Sequence, residues 1–213
     1  MENIYKLSKI PEELLEIPHP PKVLYTRGKL PSKEYTYLTV VGSRKYTKYG
    51  QEICKKLIAG LKDKKIVIVS GLALGIDTIA HRTALENGIK TLAIPGSGLD
   101  NHVLYPKQNR NLAQEIVDND GCLLSEMKPN EKPTAYSFPQ RNRLMAGISK
   151  AVLIIEAQEK SGTLITARMA VDYNRDVLVV PGSILSNNSS GNNKLIQQGA
   201  TPITCSEDIL EAL

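Results

Sequence analysis

The segment Phe138-Pro139-Gln140-Arg141-Asn142-Arg143 sets the only phenylalanine of the chain beside two arginines and two amides. There is no tryptophan, and Phe138 falls outside any apolar periodicity. An aromatic face next to cations suits a single-stranded nucleic acid, which needs a ring for a base and positive charge for its phosphates. The competing reading has Phe138 closing the core and Arg141 and Arg143 pairing with acids. On residue chemistry alone the two stand even. Other candidates are dispersed: Gly42-Ser43-Arg44, Ser70-Gly71, Pro95-Gly96-Ser97-Gly98, Ser161-Gly162-Thr163 and Pro181-Gly182-Ser183 each come after an apolar run. A glycine beside a hydroxyl often only turns the chain. Gathered on one rim, these segments would form a phosphate-binding surface of backbone N–H groups and helix N-termini.

Other chemistries lack their residues. No GxxxxGK[ST] loop is present, and Gly96-x-Gly98 is followed by Asn101 where the third glycine of a dinucleotide fingerprint belongs. HExxH, GxSxG and EF-hand patterns are absent, and His19, His81 and His102 share no ligand spacing. Cys54, Cys122 and Cys205 form no CxxC pair and have core-like neighbours, which predicts reduced thiols in a cytoplasmic protein. No metal and no cofactor is expected. The 213 residues carry 27 Lys and Arg against 22 Asp and Glu, a net +5. The window from Arg44 to Lys65 holds eight bases and two acids, so it accounts for the whole surplus. Its lysines Lys62, Lys64 and Lys65 also suit the negative end of a helix dipole. A basic balance favours a polyanionic partner. No apolar run approaches the roughly 18 residues of a membrane span, and the first twenty show no signal-peptide core.

These residues need a frame, and the hydrophobic pattern supplies one. From Leu38 onward short apolar segments alternate with helical ones, with Gly, Pro or Ser at most junctions. Strands are expected at Leu38–Val41, Ile66–Val69, Thr91–Ile94, Cys122–Leu124, Ala151–Ile155, Val177–Val180 and Thr201–Thr204. Their continuous apolar character is that of strands covered on both faces. Helices are expected at Thr47–Lys62, Gly75–Glu86, Asn109–Val117, Gln140–Ile148, Thr163–Tyr173, Asn192–Gln198 and Glu207–Ala212. In the first of these Tyr49, Ile53, Leu57 and Leu61, with Cys54 and Ile58 beside them, make one apolar stripe. The alternation predicts an α/β fold, doubly wound on a mostly parallel sheet with right-handed crossovers. Residues 1–37, rich in proline, read as an extension with a short helix at Pro11–Glu16 and a strand at Val23–Arg27, packing on a core domain of 38–213. In such sheets ligands bind at the carboxyl ends of the strands, where the glycine–hydroxyl segments fall.

Several longer motifs occur in one order: Val40-Val41-Gly42-Ser43-Arg44, Ser70-Gly71-Leu72-Ala73-Leu74-Gly75-Ile76-Asp77, Gly98-Leu99-Asp100 with Tyr105-Pro106, and Leu124-Ser125-Glu126. Phe138–Arg143 with Ala146-Gly147, Ser161–Ala167, Val180-Pro181-Gly182 and Leu195–Ala200 follow. In these motifs the chain resembles the DprA/Smf family of DNA-processing proteins from about residue 10 to its end. The resemblance implies an extended Rossmann-like fold. It also implies a protein that binds single-stranded DNA without cutting it, protects incoming strands, displaces single-strand-binding protein and loads the recombinase RecA during natural transformation. Matched by position, Gly42, Ser43 and Arg44 fall in the family's phosphate-binding loop. Phe138, Arg141, Asn142 and Arg143 fall in its base- and backbone-contacting segment, and Lys107 stands where a basic residue is often found. Leu195, Ile196 and Gln197 fall in the region the family uses to form a homodimer, next to its RecA-contacting surface. Neither a sterile-alpha-motif-like domain nor a winged-helix domain is expected within these residues.

The rival reading is a nucleotide-processing enzyme resembling the phosphoribohydrolases, or a nucleotide sensor, on the same fold. Those enzymes carry PGGxGTxxE with a catalytic glutamate, whereas Pro95-Gly96-Ser97-Gly98 lacks the Thr and Glu, and Ser161-Gly162-Thr163 leads to Ile165-Thr166. Glu126 and Glu156 at strand ends are the remaining acids that could serve. The expectation is therefore a binding protein and not an enzyme.

Overall fold

The computed structural model describes residues 3–213. Among them nine strands form one sheet: β1 (Ile4–Lys6), β2 (Tyr25–Gly28), β3 (Thr36–Val41), β4 (Ile66–Ser70), β5 (Lys90–Ala93), β6 (Cys122–Ser125), β7 (Ala151–Ile154), β8 (Asp176–Val179) and β9 (Thr201–Pro202). Their order is β1-β2-β6-β5-β4-β3-β7-β8-β9. From β6 to β9 every neighbouring pair is parallel, while β1–β2 and β2–β6 are antiparallel. The fold is thus the expected Rossmann-like α/β arrangement with an antiparallel edge. The proline-rich segment supplies that edge, and β1 was not foreseen, because three residues carry too little pattern to register as a strand. After β3 the chain builds β4, β5 and β6 to one side. It then returns to place β7 on the other side of β3, which makes the β3–β7 boundary the topological switch point.

The helices are α1 (Glu12–Leu15), α2 (Lys48–Ala59), α3 (Ile76–Glu86), α4 (Arg110–Asp118), α5 (Ser137–Ile148), α6 (Thr163–Asp172), α7 (Ser190–Gln197) and α8 (Ser206–Ala212). Because successive strand residues point to opposite faces, Val67 and Val69 join one core with α5 and α6, while Ile66 and Ile68 join another with α2, α3 and α8. A third cluster packs α4 on Leu72, Ala93 and Leu123. Burial on both faces explains why the strands lack alternation. In α2 the stripe is narrower than its periodicity suggests. Cys54, Leu57 and Ile58 are fully buried, as is Leu61 in the turn past the helix end at Ala59, short of the expected Lys62, but Tyr49 is nearly half exposed and its hydroxyl donates to the Pro181 carbonyl at 2.7 Å. The extension is held to the body by Leu14 and Ile17 against Gly147, and by Arg175 Nη2 donating to the Glu13 and Gly147 carbonyls.

Candidate nucleic-acid interface

The β3–β7 switch point opens into a cavity of about 510 Å³. Its first wall is the loop after β3. Gly42 lies so close to Ile76 that a Cβ would overlap that side chain. Gly75, at φ 91°, sits against the Ser43 carbonyl and the Arg44 backbone, where an L side chain would meet both strain and overlap. The Ile76 amide donates to the Ser43 carbonyl at 3.2 Å, and the Lys45 amide donates to Ser43 Oγ at 3.0 Å. These contacts fix the loop and leave Arg44 and Lys45 exposed at the mouth. The second wall follows β7 and includes Gln158, Ser161, Gly162 and the start of α6 at Thr163. The floor and lip come from α5, through Phe138, Pro139, Arg141, Asn142 and Met145.

Phe138 is not on a loop. The helix begins at Ser137, three residues before the expected Gln140 start, because proline is tolerated in a first helical turn where its missing N–H has no partner to lose. Ser137 Oγ anchors that turn by donating to the Gly96 carbonyl at 2.6 Å. The Phe138 ring is half-buried and lies on Gly96, so that a Cβ there would strike it. Tyr105 meets it edge-on at 5.7 Å, and the Arg44 guanidinium sits 5.8 Å from its centroid.

The two arginines of the segment depart from the expected phosphate contacts. Arg141 and Arg143 are each only 7% exposed. Arg143 is ion-paired with Glu126 and reaches back to Gln140 Oε1, so it serves the helix and is turned away from the cavity. Arg141 lines the cavity, but its guanidinium lies over Gly71 and donates to the Ile94 carbonyl. Burial lowers the Arg141 pKa to about 10, opposed by the attraction of Asp77 and aided by the repulsion of Arg44. Burial raises the pKa of Asp77, against the pull of Arg141 and of the Ala73 and Gly71 amides that donate to its carboxylate at 3.3 and 3.1 Å. The one carboxylate lining the cavity is therefore turned to the backbone, and the free cations at its mouth are Arg44 and Lys45.

The remaining expected residues separate by position. Gly42, Ser43, Arg44, Phe138, Arg141, Asn142, Ser161 and Gly162 come together around the cavity. Ser70 is buried and donates to the Val40 carbonyl at 2.7 Å, which ties β4 to β3, and Gly71 makes room for Arg141. Lys107 is exposed on a short 3-10 turn beyond Tyr105 and does not line the cavity. Leu195 and Ile196 are half-buried against the core, and Gln197 is exposed. Lys45, Asp77 and Asn109 join the site beyond the expected residues. Asn109 is buried and its Nδ2 donates to the Leu72 and Ala73 carbonyls and to Thr78 Oγ1, which holds Leu72 at φ 58°. The basic window and the Tyr105-Pro106 motif gave a signal for Lys45 and for this turn, while nothing in the sequence marks the Asn109 role. Both acids available to the rival enzyme reading are occupied. Glu126 pairs with Arg143, and Glu156 accepts from the Thr47 amide and hydroxyl at 2.9 and 2.5 Å, at the start of α2.

The family model for DNA recombination-mediator protein A matches residues 3–213. The chain belongs to this family. Within it, the DNA processing protein DprA of Streptococcus pneumoniae is 46% identical over 94% of this chain, and the chain spans 70% of that protein. Its crystal structure superposes with a TM-score of 0.90, covering 99% of this chain and 74% of the other at 43% identity. The protein Smf of Escherichia coli is 40% identical over 95% of this chain, which spans 54% of its length. A structure concerned with the single-stranded DNA binding mode of DNA processing protein A from Helicobacter pylori superposes with a TM-score of 0.88 at 32% identity, covering 99% of this chain and 97% of the other. The DprA/Smf resemblance carried by the motifs is thereby established as membership.

Proposed function

We propose that this chain binds single-stranded DNA at the switch-point cavity and passes it on for recombination without cutting it. One observation carries the reading. An exposed cation, Arg44, rests on the only phenylalanine of the chain, at the mouth of a cavity whose one carboxylate among the described residues is turned inward. An exposed cation–π contact is worth about 0.5–1 kcal/mol. Stacking of a base on an aromatic ring is worth about 1–3 kcal/mol. A base can therefore displace the guanidinium from the ring, and the freed Arg44 then meets the phosphate beside it. The Gly42-Ser43 loop and the Ser161 hydroxyl line the same cavity and can meet the same strand, whereas the Thr163, Leu164 and Ile165 amides at the start of α6 donate within their own turn to Ser161 and Gly162. With Glu126 and Glu156 engaged elsewhere, a binding role fits these residues better than glycosidic hydrolysis.

Membership in the family and the kinship to a protein with a single-stranded DNA binding mode support this reading. We extend it to a cytoplasmic homodimer that loads RecA onto protected strands, as in natural transformation. Leu195 and Ile196 on α7, beside the exposed Gln197, supply the dimer surface in this proposal. A gel shift with single strands and blunt duplex of mixed sequence tests the binding, and preference for the single strand is expected. Equal affinity for both would sink the proposal. Incubation with AMP tests the enzyme reading, with no free adenine expected. Light scattering tests the dimer: Ile196→Glu should give a folded monomer, and a folded variant of unchanged dimer mass would move the interface elsewhere.

A further inference from the structure

The loop between β8 and α7 shows two aliphatic side chains to solvent, Ile184 at 91% and Leu185 at 92% exposure. No other large apolar residue of the described chain is as exposed. The loop that carries them is held. The Gly182 amide donates to Asn193 Oδ1 at 3.3 Å and Asn193 Nδ2 returns to the Gly182 carbonyl at 3.0 Å. The Ser186 amide donates to the Ser183 carbonyl at 3.0 Å, and the Leu185 amide to Ser183 Oγ at 3.2 Å. A held loop that keeps apolar groups in water presents them to a partner.

Two hydrogen bonds make this loop continuous with the cavity. Gln158, part of the cavity wall, donates from Nε2 to Asn188 Oδ1 at 2.7 Å. Asn188 Nδ2 in turn donates to the Lys45 carbonyl at 2.9 Å. Tyr49 ties the other end of the loop through Pro181. The rim beyond Arg44 therefore carries Lys45, the exposed Tyr46 and the Ile184-Leu185 pair on linked backbone. Its charge identifies the occupant. From Val177 to Ser206 the chain has no Asp or Glu, while Ser183, Ser186, Asn187 and Asn188 offer neutral donors. Lys45 has no carboxylate within ion-pair distance among the described residues, and Lys48 has only a 3.6 Å contact to the exposed Glu52. A carboxylate-free apolar tip beside unpaired cations suits bases joined by phosphates.

We infer that a single strand leaving the cavity continues over this β8-side rim, with a base on Tyr46 or on the Ile184-Leu185 pair and its phosphates on Lys45 and the Ser183 and Ser186 hydroxyls. The inference rests on the proposed single-strand function and adds a direction and a second contact area to it. The test compares oligothymidylates of about 4 and about 16 nucleotides, which bracket the site sizes of single-strand-binding folds. Fluorescence anisotropy is read on the wild type and on the double variant Ile184→Ser, Leu185→Ser, with light scattering alongside. The variant should bind the short strand as the wild type does and lose about tenfold on the long one, near the lower end of one base contact. In the wild type, 5-iododeoxyuridine placed outside the first few nucleotides should photocrosslink to Tyr46 or to residues 183–188. Undiminished long-strand affinity in the double variant, or crosslinks confined to Phe138 and Tyr105, would overturn the inference. A long-strand loss accompanied by a halved mass would also overturn it, because the loop would then be an interface between copies. If the wild type binds neither strand, the functional proposal itself has failed.

Discussion

Replacing Arg141 by alanine separates a framework role from a phosphate-binding role. The side chain is 7% exposed, its guanidinium donates to the Ile94 carbonyl, and its charge steadies the buried Asp77. Removing one partner of a buried pair costs about 3–5 kcal/mol. Here Arg141 and Asp77 are not in ion-pair contact, and Asp77 keeps its Gly71 and Ala73 amide donors, so about 2–3 kcal/mol is the fitting figure. For a chain of this size each kcal/mol moves Tm by about 2–4 °C, which gives a fall of roughly 5–10 °C. The fall depends on pH with a definite sign. Burial raises the folded pKa of Asp77 above 3.8, so the folded state holds more protons and stability declines as pH rises through that window. Without Arg141 the folded pKa climbs further, and the deficit of the variant is smallest near pH 4 and largest at pH 7. His81, which also feels the Arg141 charge, acts in the same direction. Thermal unfolding of both proteins from pH 4 to 7, with Asp77→Asn added to the variant as rescue, measures this. An Arg141→Ala protein with wild-type Tm and lost single-strand affinity would refute the argument and return Arg141 to the phosphates. A deficit that does not change with pH would refute its coupling to Asp77.

Arg44→Ala should leave Tm nearly unchanged, because the side chain is exposed, and should weaken single-strand binding about ten- to hundredfold, the value of one charged hydrogen bond. Its plot of log K against log salt should be shallower by about 0.7, one phosphate contact on a single strand. Phe138→Ala should cost about 1–3 kcal/mol of binding with little change in that slope, and Phe138→Tyr should retain most of the affinity. Because the ring is half-buried on Gly96, the alanine variant should also melt earlier, and normal binding together with early melting would assign Phe138 to the core alone. His81 is fully buried with its folded pKa lowered from 6.5 to about 3. Unfolding between these values takes up a proton, so stability falls on acidification by about 1.4 kcal/mol per pH unit below 6.5 from this group. His81→Gln should remove about one proton from the uptake measured at pH 5, and an unchanged uptake would show that the ring is already protonated in the fold.

The parallel strands and their helices were legible because both faces of the sheet are covered, which leaves apolar runs such as Ile66–Val69 and Ala151–Ile154 between glycine and proline breaks. Glycine beside hydroxyl at the strand ends was legible for the same local reason, since a chain that turns tightly there needs those residue types. The sequence by itself therefore determined the fold class, the family and the set of loops from which a site could be made. Which of those loops meet was decided by strand order, because only the return of β7 to the far side of β3 brings Gly42–Lys45 face to face with Ser161-Gly162 and leaves Lys107 outside. The fate of the arginines was also tertiary. Arg141 and Arg143 are two residues apart on a helix and so face different ways, one toward Asp77 and Ile94, the other toward Glu126, across separations of 17 to 64 residues that no local pattern encodes. Spacing named the cations, and packing chose which of them, Arg44 and Lys45, stay free to meet a strand.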